Sequence, residues 1–133
     1  MIQRARARTD ASLPHVHFHV GVAEHLPFPG AAFDVVTSTL LFHHLPADAQ
    51  CDALREIVRV LRPGGRLVVA DYARPRGLRG RLACLPHRFN FYEYVRPQLA
   101  GSLERLLERH FAHVQTARRF LGYIPVLRAR VNG

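Results

Sequence analysis

The sequence predicts an α/β fold: a mostly parallel sheet flanked by helices, with a C-terminal antiparallel hairpin. Three observations carry that expectation. Residues 33–38 (FDVVTS) and 67–70 (LVVA) are short apolar runs rich in β-branched residues, the character of strands buried on both faces of a parallel sheet. Between them Cys51, Leu54, Val58 and Leu61 recur at helical spacing, so strand, helix and strand form a right-handed crossover. Near the end, runs at 114–120 and 123–131 flank Gly122 and Pro125, the pattern of an antiparallel hairpin with an edge strand.

Taken in order, residues 1–9 (MIQRARART) are good helix formers and read as the end of a helix, broken by residues 12–14. Val16, Phe18 and Val20 then alternate with His15, His17 and His19, which predicts a strand with one buried face. Gly21 ends it, and Pro27, Pro29 and Gly30 make a rigid turn before the 33–38 strand. Asp48 near the start of the following helix favours its dipole, and Pro63-Gly64-Gly65 stops that helix. Residues 73–96 lose regularity and interleave arginines with Phe89, Phe91, Tyr92 and Tyr94. Pro97 can open a further helix whose inner face holds Leu99, Leu103, Leu106 and Leu107.

The totals set bounds. A length of 133 residues allows one domain, residues 1–133, and 48% hydrophobic content is that of a globular chain. No apolar run approaches the length of a membrane span, and the basic first twenty residues lack the apolar core of a secretory signal. Cys51 and Cys84 have no metal spacing and read as free thiols in a reducing, cytoplasmic setting. All 19 basic residues are arginine and the net charge is +9. A GC-rich coding sequence explains the absence of lysine more simply than chemistry does. The charge itself would attract an anionic partner, although its scatter and the lack of a recognition motif argue against nucleic acid. His15, His17 and His19 share one strand face, but no carboxylate or cysteine completes a metal site, so no metal is expected.

Specific motifs carry a resemblance. Gly21-Val22-Ala23-Glu24 followed by Leu26-Pro27-Phe28, the strand Phe33-Asp34-Val35-Val36, the element Leu40-Leu41-Phe42-His43-His44-Leu45 and the loop Arg62-Pro63-Gly64-Gly65 together resemble the second half of a class I S-adenosylmethionine-dependent methyltransferase of small-molecule type. The closing helix and hairpin match as well, with His110 where a glycine is usual. The resemblance implies a partial Rossmann-like methyltransferase fold. The first two strands and the Gly-x-Gly-x-Gly loop that grips the cofactor have no counterpart in the sequence, so the chain is expected to be N-terminally truncated and weak or inactive alone. It also implies that residues 16–20 lack a partner strand and that 33–38 forms an exposed apolar edge, prone to homodimerisation or to pairing with a partner chain.

By the same resemblance, Val22, Ala23 and Glu24 would meet the adenosine part of S-adenosylmethionine. Val22 stands where relatives carry an aspartate, so one hydrogen bond to the adenine is missing. Ser38 and Thr39, at the carboxyl end of their strand, would lie under the methionine part. His43 or His44 could serve as a general base on a hydroxyl or ring-carbon acceptor; the alternative is that one packs and the other caps or faces solvent. Tyr72, Phe89 and Tyr92 would line the small-molecule pocket, with 73–96 as a substrate lid; the alternatives are that Tyr72 is a partly buried wall residue and that the arginine-aromatic segment is an exposed loop. The competing reading is a non-catalytic binding or partner subunit.

Overall fold

The computed structural model describes residues 15–85 and 92–132, the side chains of 92–94 excepted. Four strands form one mixed sheet in the order β1-β2-β4-β3: β1 Phe33–Thr39, β2 Leu61–Ala70, β3 His113–Phe120 and β4 Ile124–Arg130. β1 and β2 are parallel, joined by a 3-10 turn at Phe42–His44 and helix α1, Ala47–Val60. β4 lies antiparallel to both β2 and β3. Among the described residues three further helices follow β2: α2 Gly77–Ala83, α3 Tyr92–Leu99 and α4 Ser102–His110.

The register sorts side chains into rows that alternate between the two faces. Val36, Leu67, Ala129 and Val114 share one row, and Ser38, Val69 and Leu127 share the next row on that face. This face packs against α1 and α4, whose Ala53, Leu54, Ile57, Leu103 and Leu107 complete the core with Phe42 and Phe111. The rows between carry Val35, Arg66, Arg130 and His113, then Thr37, Val68, Arg128 and Gln115. All of these except the half-buried Val68 are exposed.

The expected hairpin and parallel crossover are present; several local expectations are corrected. Residues 16–20 form no strand. Val16 and Val20 are exposed, and the only pairing nearby is an isolated bridge between Val22 and His25. A strand needs a neighbouring strand for its backbone donors and acceptors, and among the described residues no strand pairs with this segment. With it outside the sheet, the only parallel pairing among the described residues is β1 with β2, so the sheet is mixed.

The buried stripe of α1 is Gln50, Ala53, Leu54, Ile57 and Val60, not the expected set through Cys51 and Val58. Leu61 already belongs to β2, so the helix ends before Pro63, and Pro63-Gly64-Gly65 loops out where the β1–β2 register shifts. Pro97 lies inside α3 rather than opening a helix. Gly101, with φ of 83°, separates α3 from α4, a backbone angle that glycine adopts without steric penalty.

The segment after β2 is tied to the hairpin by backbone. Ala73 N–H donates to the Tyr123 carbonyl and Arg76 N–H to the Gly122 carbonyl, each at 2.9 Å. Gly80 of α2 meets Gly122 backbone to backbone: a Cβ on Gly122 would stand 2.4 Å from the Gly80 Cα. No described helix is long and apolar enough to cross a membrane.

Candidate active site

Parallel pairing puts the carboxyl ends of β1 and β2 at one edge, where the chain leaves each strand to make a loop. After β1 it turns through Phe42–His44; after β2 the first residue is Asp71. Asp71 is 1% exposed. Its carboxylate accepts from the Phe42 N–H at 2.8 Å, from the Tyr72 N–H at 2.7 Å and from His43 Nδ1 at 2.8 Å. Burial of a carboxylate is tolerated only with such partners. With Asp71 as acceptor, Nδ1 of His43 carries the hydrogen, and Nε2 keeps the lone pair that accepts a proton.

Aromatic rings fix the imidazole from its sides. Tyr72 meets the His43 ring edge-on at 4.8 Å between centroids, and His44 lies 3.9 Å away. Tyr72 in turn stacks on Tyr123 at 6.0 Å and 5°. Burial, with Tyr72 and Cys84 adding to it, pushes the Tyr123 phenol up from its ordinary value.

His43 and His44 open on a cleft of about 320 Å³ between the start of α1 and the α3–α4 corner. Leu45, Pro97 and Leu106 make its apolar walls, while Gln50, Gln98 and Ser102 bring polar groups to it. Gln50 is satisfied, donating from Nε2 to the Leu45 carbonyl at 2.8 Å. Gln98 is not: the residue is 1% exposed and its Oε1 has no partner among the described residues. The buried Ser102 Oγ is also unpartnered. A buried acceptor without a donor is unfavourable by about 1–3 kcal/mol.

Among the sequence-predicted residues, the structure brings Tyr72 against His43 and leaves His44 exposed beside it. It separates Ser38 from Thr39. Ser38 faces the helices with its Oγ buried and unpartnered, whereas Thr39 faces outward on the open side. Val22, Ala23 and Glu24 lie on a turn closed by a His25 N–H bond to the Val22 carbonyl at 3.2 Å, with Val22 itself exposed.

That turn is held to α1 from below. Glu56 Oε2 accepts from the Leu26 N–H at 2.8 Å, and Arg59 donates to the carbonyls of Phe28 and Leu26 at 2.9 and 3.1 Å. The Arg59 guanidinium, then the Leu26 N–H, lower the Glu56 carboxyl to about 2. Phe89 and the Tyr92 side chain lie outside the described residues. Among the described residues no cluster of His, Cys, Asp or Glu is arranged to hold a metal.

Three residues of this site escape a reading of the sequence alone. Asp71 reads as a strand-end residue, and only the fold shows it reaching back to His43. Gln98 and Ser102 belong to no motif; they reach the cleft because α3 and α4 meet at Gly101.

The model of a methyltransferase domain family matches residues 1–69 of this chain. Among curated proteins, the chain is 38% identical over 89 residues to a ubiquinone/menaquinone biosynthesis C-methyltransferase of Azotobacter vinelandii, covering 67% of this chain and 32% of that protein. It is 35% identical over 102 residues to a demethylmenaquinone methyltransferase of Deinococcus radiodurans, covering 76% of this chain and 39% of that one. The chain thus spans about a third of the length of these relatives. Among solved structures, the YcgJ protein of Bacillus subtilis superposes with a TM-score of 0.68 at 18% identity, covering 98% of this chain and 76% of that one. The PH0226 protein of Pyrococcus horikoshii gives 0.69 at 20% identity, over 98% and 66% respectively. At such identities the likeness is one of fold.

Proposed function

This chain belongs to the family of S-adenosylmethionine-dependent methyltransferase domains, and on that premise we propose that the cleft beside His43 takes a small-molecule acceptor and that His43, held by Asp71, removes the acceptor's proton. The observation that carries the reading is the buried His43–Asp71 hydrogen bond opening on a cleft with unpartnered polar atoms. S-adenosylmethionine, when bound, supplies an electrophilic methyl group on a sulfonium. The buried, unpartnered Ser38 hydroxyl at the end of β1 fits a polar group of that cofactor, and the backbone of Ala23 and Glu24 would hold its adenosine end. Thr39, on the other face, would contribute less. Val22 offers only backbone.

In this reading the chain's residues position and deprotonate. Leu45, Pro97 and Leu106 exclude water, the Gln98 carbonyl oxygen accepts from an acceptor hydroxyl, and Nε2 of His43 takes the proton as the new bond forms. Asp71 stabilises the resulting imidazolium, and Tyr72 holds the ring by its edge-on contact. The names of the relatives favour a hydroxylated aromatic ring of quinol type, methylated on carbon. Loss of the hydroxyl proton to His43 would raise the electron density of such a ring.

Calorimetric titration with S-adenosylhomocysteine, followed by a methyl-transfer assay on a simple quinol, tests this. Binding is expected, with H43A and D71N both lowering kcat and leaving cofactor affinity in place. A folded chain that binds no S-adenosylhomocysteine would sink the catalytic reading. The second reading, a partner subunit that completes a sheet with another chain or a second copy, is favoured by one observation. The outer edge of β1 pairs with no described strand, and Val35 on it is 40% exposed. Concentration-dependent association without cofactor binding would support it.

A further inference from the structure

The open face of the sheet holds a cluster that methyl transfer does not use. Arg66 of β2 stands directly opposite Arg130 of β4, with His113 of β3 next in the same row. Arg128 follows one row along on the same face, beside Gln115. Like charges directly opposite in a sheet destabilise it. Three arginines pair with carboxylates, Arg55 with Asp52 and Arg59 with Glu56 on α1 and Arg62 with Asp34 at the start of β2. Among the described residues, no carboxylate pairs with Arg66, Arg128 or Arg130, although all three are exposed. They surround a hollow of about 290 Å³ whose remaining polar lining is His113 and Gln115.

We propose that this hollow binds a small phosphate-bearing anion, of phosphate monoester or diphosphate type. Each guanidinium presents a planar fork of donors that matches two phosphate oxygens, and several forks around one concavity suit a group with several oxygens and more than one negative charge. His113 and Gln115 add side-chain donors. The hollow is confined to the β2, β3 and β4 face, so it suits a compact anion better than an extended polyanion or a flat bilayer. Binding would offset the repulsion between Arg66 and Arg130 and so stabilise the fold in proportion to occupancy. The site stands on the sheet face away from α1 and α4, so it is separate from the cleft beside His43.

The test is calorimetric titration of the full chain with sodium pyrophosphate at constant ionic strength, with sodium chloride as control. Pyrophosphate is expected to bind and to raise the melting temperature where chloride does not. R66Q, R128Q and R130Q should each weaken it about tenfold or more, the effect of losing one charge-assisted pair of hydrogen bonds. R128K, which keeps the charge but not the fork, should be intermediate and guards against a variant that misfolds. None of these should change S-adenosylhomocysteine affinity. Equal response to chloride, or unchanged pyrophosphate affinity in folded R66Q and R128Q, would overturn the proposal. So would binding to phosphatidylglycerol vesicles without affinity for pyrophosphate, which would make the face a membrane contact.

Discussion

The two faces of the sheet are built from alternate residues of the same four strands and have opposite chemistry. One face sets Leu67, Val69, Leu127 and Ala129 against α1 and α4 and excludes water. The other sets Arg66, Arg128, Arg130, His113 and Gln115 outward. A single residue of register separates them, since successive side chains of a strand point to opposite sides. The difference teaches that the covered face holds the fold, while the open face can carry like charges because solvent screens them. The candidate catalytic groups lie at the strand ends and on the covering helices, where buried polar atoms can be held in place.

The comparison can be broken most severely on the covered face. Leu67→Ala leaves a cavity at a site with no exposure and is expected to lower stability by about 2–5 kcal/mol. Val68→Ala, its neighbour on the open face, is expected to lower it by under about 1 kcal/mol; urea denaturation of both would measure the asymmetry. Next comes the contact that docks α2 on the hairpin turn. Gly122 has φ of 76° and has no room for a Cβ against Gly80, so Gly122→Ala is expected to be destabilising by about 1–3 kcal/mol, with the loss seen first as proteolytic sensitivity around residues 73–85.

A third test concerns pH. The Glu56 carboxyl sits at about 2 against an ordinary 4.5. Its contribution is present above about 4.5 and is lost as pH falls toward about 2. E56Q is expected to flatten that part of a melting-temperature profile and to loosen the 22–28 turn, read by hydrogen exchange at the Leu26 amide. The smallest effect is on the charged face. R128T without added anion should shift stability by no more than about 0.5 kcal/mol, and a large loss would mean that Arg128 packs rather than waits for a ligand.

Much of this was legible before any coordinates. The run 33–38, the helical spacing through Leu54 and the Gly122 turn all mark elements that formed, because short-range pattern and turn chemistry decide them. His43 and His44 stood out by position, and Tyr72 by its place at a strand end. At 16–20 the alternation marks a strand that does not form, and the partner strand whose absence the resemblance implies is the physical reason. Pro97 misled: a proline is tolerated in a first helical turn, but here α3 begins earlier, at Tyr92, and carries it inside.

What the sequence by itself determined is the parallel crossover, the closing hairpin and the family motifs along the chain. These depend on residues a few positions apart, whose periods of 2 and 3.6 are local properties. Tertiary structure alone decided that Asp71 reaches His43 from 28 residues away, that Gln98 and Ser102 bring unpartnered oxygens to the same cleft, and that Arg66 faces Arg130. Each of these depends on strand pairing and helix docking, which bring distant residues together according to the packing of the whole domain.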